Sequence, residues 1–164
     1  MTVSPTPVVA AGGIGDGRGL AATLALGASG VWCGTVFVAT RESNVAEHWR
    51  QKILAATEED TRISRVYTGK RMRVVRNPIV DAWERDKEPT RPMPLQAMLV
   101  EGLVWSAEQA RMTDYVAVAA GQISGMLKEI KSAGQVVTEM ADGAAKIIQQ
   151  TLPESTGLSR RTTY

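Results

Sequence analysis

One cysteine and one histidine stand among the 164 residues of this chain. A lone Cys33 excludes an internal disulfide and fits a reducing compartment. It lies in an apolar run between Trp32 and Gly34, where a buried, inert thiol is expected, since a reactive one needs an electropositive, accessible setting. No apolar run approaches the ~20 residues that cross a bilayer. The polar, proline-containing residues 1–7 do not make a signal peptide. The expectation is a soluble, cytoplasmic protein without a membrane partner. A net charge of +2 with scattered basic residues gives no reason to expect nucleic acid. The short cluster Lys70-Arg71-Met72-Arg73 reads as a solvated strand or turn, and the run Glu58-Glu59-Asp60 as a solvated loop. Adjacent carboxylates do not converge on one ion, so no metal site is assigned.

What the chain does have is an ordinary globular composition, 44% hydrophobic and 22% charged, and a glycine tandem near its start. Val8-Val9-Ala10-Ala11-Gly12-Gly13-Ile14 is followed, one helix length later, by Gly30-Val31-Trp32-Cys33-Gly34-Thr35. Residues 8–11 read as a fully buried parallel strand and 30–34 as a second strand. Between them Asp16 can cap a helix over 17–26, with Leu20, Ala21, Leu24 and Ala28 as its apolar stripe and Gly27 ending it. Strand, helix and strand with short loops make a crossover unit, so the two strands should be parallel neighbours. The class is α/β.

Further on, Val45, Trp49 and Ile53 recur on one face of a helix over 44–56. Residues 61–68 and 72–76 read as two short strands about a Gly69-Lys70 turn. Asn77 can cap a helix through Trp83, with Pro78 in its first turn. Three prolines among charged residues make 87–94 a surface connection. Residues 96–110 and 115–130 read as helices, the second broken near Gly121. Ser132 caps a last helix carrying Val136, Val137, Met140, Ala144, Ile147 and Ile148, which Pro153 should stop before a disordered tail. Trp49, Trp83 and Trp105 are placed on helix faces as packing residues. The expected division is 1–43, 44–152 and 153–164.

Glycines at the ends of two adjacent strands can aim backbone N–H groups at one phosphate, because no Cβ stands in the way. The start of the helix at Gly17 adds a favourable dipole, and Thr35 a hydroxyl donor. Two rival motifs fail. The dinucleotide fingerprint needs glycine at position 18 or 20, where Arg18 and Leu20 stand, and no Gly-Lys-Ser/Thr follows to make a P-loop.

At these residues the chain resembles the nitronate monooxygenase family, formerly called 2-nitropropane dioxygenase. The resemblance rests on residues 7–14, the Asp16-Gly17-Arg18-Gly19 turn, Ala25-Leu26-Gly27-Ala28, the run 30–43, Glu58-Glu59-Asp60-Thr61 and Ala120-Gly121-Gln122-Ile123-Ser124-Gly125. It implies the last two β/α units of a TIM (β/α)₈ barrel, followed by a mostly helical appended domain. It implies FMN as cofactor, with Gly12, Gly13, Gly34 and Thr35 binding its phosphate. Gln122 either lies near the flavin or caps a helix. The family's substrates are an alkyl nitronate and O2, which give a carbonyl compound and nitrite.

The family's catalytic histidine lies in an upstream Gly-Gly-His stretch that this sequence does not contain. The lone His48 falls on a predicted helix and is not a base candidate, so no catalytic residue is assigned. A whole barrel takes about 250 residues. The resemblance therefore implies the C-terminal part of an enzyme, from a truncated gene, a misplaced start or a split polypeptide, inactive and unable to hold FMN alone. Open strand edges and unpartnered strand faces then lead to low solo stability, to homo-oligomers or to pairing with a separate N-terminal barrel half. Two other readings stay open: an NAD(P)H-dependent flavin oxidoreductase of the enoyl reductase kind, and a non-catalytic remnant.

Overall fold

The structure is a computed structural model and describes residues 5–157. In chain order the elements are β1 (Val9–Ala11), α1 (Gly17–Ala25), β2 (Gly30–Trp32), α2 (Thr35–Val38), α3 (Glu47–Ala55), β3 (Thr61–Ser64), β4 (Met72–Val75), α4 (Pro78–Asp86), α5 (Leu95–Gln109), α6 (Ala133–Lys146) and α7 (Leu152–Thr156). The class is α/β, as the sequence predicts. The chain divides at Ser43/Asn44 and again at Glu129/Ile130, so residues 130–157 group with 5–43 rather than with the middle of the chain. The division expected from sequence keeps 44–152 together.

In the first unit β1 and β2 are parallel, in the register Val9↔Gly30, Ala10↔Val31 and Ala11↔Trp32. The crossover α1 begins at Asp16, whose carboxylate accepts from the Arg18 and Gly19 amides at 3.0 and 3.1 Å. It ends on Gly27 at φ +92, with Gly27 N–H donating to Leu24 O at 2.9 Å and Ala28 N–H to Thr23 O at 3.0 Å. That bond pair closes the last turn with its carbonyls satisfied, and only glycine takes the left-handed position without strain. α6 starts on a reciprocal cap between Ser132 and Gln135 and buries Val136, Met140 and Ala144. α1 and α6 pack directly on each other.

Three expectations fail here. The first strand is not fully buried: Val9 is 54% exposed, as its neighbour Trp32 is at 75%, because a parallel pair needs cover on both faces and the described residues of this unit leave one open. Of the expected stripe on α1, Leu24 is exposed while Ala21 is buried, and Gly17 is buried as well. Pro153 does not stop the last helix. A π-turn at Ile147–Thr151 intervenes, and Pro153 falls in the first turn of α7, where its missing N–H is not needed. Residues 158–164 of the expected tail lie outside the described residues.

The second unit is built on an antiparallel hairpin, β3 with β4, in the register Thr61↔Val75 to Ser64↔Met72. Its core is Val66, Tyr67, Val74, Val80 and Val100. Asn77 accepts from Val80 N–H at 3.0 Å to cap α4, and its amide donates to the Tyr67 hydroxyl at 2.8 Å and Val116 O at 3.3 Å. The cap thus ties three segments together. Fully buried Gln96 likewise donates to Val66 O at 2.7 Å and accepts from Arg91 N–H at 2.9 Å.

α3 begins at Glu47, not at residue 44, since Ala46 is extended at ψ 148. No helix spans 115–130. Val75 N–H donates to Val118 O at 2.8 Å and Val74 bridges Ala119, so the run beside β4 is extended. Val116, Val118 and Ala120 are buried at a period of two, while Ala117 and Ala119 are half-buried. A short apolar run fits helix and strand equally until a neighbouring strand offers it partners. Among the described residues no helix is long and apolar enough to cross a membrane.

Candidate functional site

The register carries Ala11 and Trp32 to the same level at the carboxyl ends of β1 and β2. One residue later the strands release Gly12-Gly13 and Cys33-Gly34, ~5 Å apart at ordinary strand spacing. Gly12 and Gly13 have φ +90 and +72, a conformation that leaves L side chains strained. A Cβ built on Gly12, Gly13 or Gly34 would meet nothing within 4 Å. These glycines are therefore not demanded by crowding. At 12 and 13 the backbone conformation requires them, and at 34, with φ −106, the protein's own packing does not. The three are exposed and Thr35 is half-buried at the start of α2. Gly34 precedes α2 without a side-chain cap, and its carbonyl accepts from the Phe37 and Val38 amides at 2.9 and 3.1 Å. The four residues thus stand together at one end of a parallel strand pair, where α/β proteins place anionic ligands.

The first amides of α1 are partly taken within the chain. The Asp16 carboxylate already takes two of its first amides and holds the Arg18 guanidinium at 2.7 Å. Burial pushes this carboxyl up, but the Gly19 amide, the Arg18 guanidinium and the Arg18 amide outweigh it, so the group is held below the usual range. A negative charge fixed there opposes a second anion at the same amides. Cys33 is half-buried, and burial raises its thiol above the ordinary value, which suits an unreactive group.

Gln122 belongs to the second unit and opens a one-turn 3₁₀ helix, Gln122–Met126. It is exposed, makes no cap, and donates to Glu58 O at 3.4 Å. Ser124, fully buried, donates to Gly121 O at 2.7 Å, and a Cβ on Gly125 would lie 2.6 Å from Glu58 Oε2 and 2.7 Å from Glu58 N. The Gly-Gln-Ile-Ser-Gly stretch is therefore packed on the loop carrying Glu58. In that loop the Asp60 carboxylate accepts from the Thr57 amide and hydroxyl, both at 2.8 Å. His48 is half-buried on α3, and its buried Nε2 finds no hydrogen-bond partner among the described residues. No group of acidic, histidine or cysteine side chains among the described residues could hold a metal ion. Sequence reasoning missed the Gly125–Glu58 contact, because glycine at close packing and glycine at a turn look alike in one sequence.

Residues 2–143 match the family model for nitronate monooxygenase. A Mycobacterium tuberculosis protein that bears a monooxygenase name is 43% identical over 147 residues, covering 85% of this chain and 39% of that protein. The crystal structure of nitroalkane oxidase from Streptomyces ansochromogenes superposes with a TM-score of 0.78 at 31% identity, over 88% of this chain and 41% of that one. FabK from Thermotoga maritima superposes with a TM-score of 0.73 at 34% identity, over 90% and 47%. The chain spans less than half the length of each of these proteins. On the match of its glycine-ended strands and most of its length, this chain belongs to the nitronate monooxygenase family.

Proposed function

We propose that this chain forms the phosphate-binding end of an FMN-dependent nitronate monooxygenase, which oxidises an alkyl nitronate with O2 to a carbonyl compound and nitrite. On this reading β1 and β2 with their helices are the last two units of a (β/α)₈ barrel. One observation carries it: in a member of this family, two parallel strands in register release Gly12-Gly13 and Gly34-Thr35 side by side.

The residues fit a phosphomonoester. The three glycines are exposed, without bulk on the open side, and Thr35 supplies a hydroxyl. Backbone amides at 12, 13 and 34 would hold the phosphate of FMN and so fix the position of its ring. Bound FMN would supply the redox chemistry. The chain's own contribution is to bind and orient: rigid strands set the spacing, and Asp16 steers the anion from α1 towards the glycines. No proton-transfer role is assigned to His48.

The test is oxygen uptake with nitrite release on an alkyl nitronate, using the protein purified from its own host. Stoichiometric nitrite supports the reading. An NAD(P)H-dependent reduction without nitrite supports instead the enoyl reductase-like flavin oxidoreductase, to which the glycine tandem is equally suited. Absence of both overturns the enzyme reading.

A further inference from the structure

α5 is apolar nearly all the way round, yet only part of it is covered. Gln96, Val100 and Ala107 are buried, while Leu95, Met98, Leu99, Leu103 and Trp105 are 54, 66, 63, 51 and 62% exposed. At 100° per residue these five fall on one face, with Gly102 and Ser106 along its middle. Taking roughly 200 Å² for a fully exposed large apolar side chain, they offer on the order of 600 Å². That reaches the upper end of the ~300–600 Å² patch of a typical monomer. With the flanking surface it approaches the ~800 Å² per partner of a standard interface. An open cleft of about 500 Å³ runs along the same helix, bordered by Met98, Trp105, Tyr67 and Ala117.

Gly102 is the eighth residue from either end of α5, at the centre of its exposed face. A Cβ there would meet nothing within 4 Å, so this chain's own packing does not require glycine. Glycine inside a helix lowers its stability, and its compensation is close approach by another backbone. The placement is also close to symmetric about a point between Glu101 and Gly102. Four residues before and three after Gly102, on one flank, stand Met98 and Trp105. Three before and one after, on the other flank, stand Leu99 and Leu103.

We infer that the α5 face is a homodimer interface in which two copies of α5 cross antiparallel about a two-fold axis beside Gly102, between residues 101 and 102. The axis sets Met98 of one copy against Trp105 of the second, and Leu99 against Leu103, each pair occurring twice. That is the self-complementarity a two-fold contact demands. The cleft beside Trp105 takes the opposing side chains, and exposed Glu101 and Glu108 stay at its rim.

Sedimentation and cross-linking test this directly. The protein is expected to sediment as a dimer at micromolar concentration. Leu99→Glu, a change at an exposed position, should give a monomer with an unchanged circular dichroism spectrum. In a Cys33→Ser background, Gly102→Cys should form a disulfide with its own copy at least about ten times faster than Arg85→Cys. A monomeric wild-type protein overturns the proposal. So does a dimer that survives Leu99→Glu with Leu103→Glu, or cross-linking no faster at 102 than at 85. The first of these shows a face covered by another segment or partner, the others a dimer built elsewhere.

Discussion

Gly17 and Gly143 meet where α1 crosses α6. A Cβ built on Gly17 would lie 2.6 Å from Ala144 N and 2.7 Å from the Gly143 carbonyl carbon, while one on Gly143 would lie 3.4 Å from Gly17 Cα. The crossing that secures the cradle's helix therefore tolerates a methyl group on one side only. Gly17→Ala should destabilise by about 2 kcal/mol, as overpacking against backbone does, and Gly143→Ala by less than about 1 kcal/mol. Urea unfolding of the two variants measures both. Equal effects would show that the helices slide apart freely.

The Asp16 cap makes stability depend on pH. Its carboxyl is held below the ordinary range in the folded state. Its contribution is therefore fully present above the unfolded value near pH 4 and is lost as pH falls through the folded value. Asp16→Asn keeps a capping oxygen, so it should flatten this acid limb with little loss at pH 7. Asp16→Ala should cost about 1 kcal/mol at pH 7. Melting curves between pH 2 and 7 check the difference.

Asn77 joins a helix cap to two buried hydrogen bonds. Asn77→Ala should destabilise by about 2–3 kcal/mol, more than a cap alone, because the Tyr67 hydroxyl and Val116 carbonyl lose their donor. Tyr67→Phe removes one of these partners and should cost about 1 kcal/mol. Chemical unfolding of both variants, with the double variant closing the cycle, separates cap from network.

The parts legible in the sequence are those settled by local chemistry. Asp16, Asn77 and Ser132 cap the helices predicted for them, and the strand–helix–strand order at 8–34 gives the parallel pair. What was not legible depends on partners far along the chain. The run Val116–Ala120 is extended because β4 offers it hydrogen bonds, and α7 accommodates Pro153 because a π-turn precedes it. At the site, the glycines and Thr35 were legible as a strand-end cluster. That the Asp16 carboxylate occupies two of the first amides of α1 follows from its bond geometry, which no spacing shows.

Positions 13 and 34 separate backbone need from ligand need. Gly13 has φ +72, so Gly13→Ala should lower stability by about 1 kcal/mol or more. Gly34 has φ −106 and open space around it, so Gly34→Ala should melt as the wild type does. Thermal unfolding distinguishes the two, and a large loss at Gly34 would mean that its role is structural.

The central claim is that the cradle at Gly12, Gly13, Gly34 and Thr35 grips the phosphate of FMN. The most direct measurement compares FMN with riboflavin, which lacks only that phosphate, by quenching of flavin fluorescence on the protein from its own host and on its Gly34→Ala variant. The account predicts that FMN binds at least about tenfold more tightly than riboflavin, the equivalent of ~1.4 kcal/mol. It further predicts that most of this preference disappears in Gly34→Ala while the fold stays intact. Equal binding of the two flavins, or a preference that Gly34→Ala leaves untouched, would contradict it.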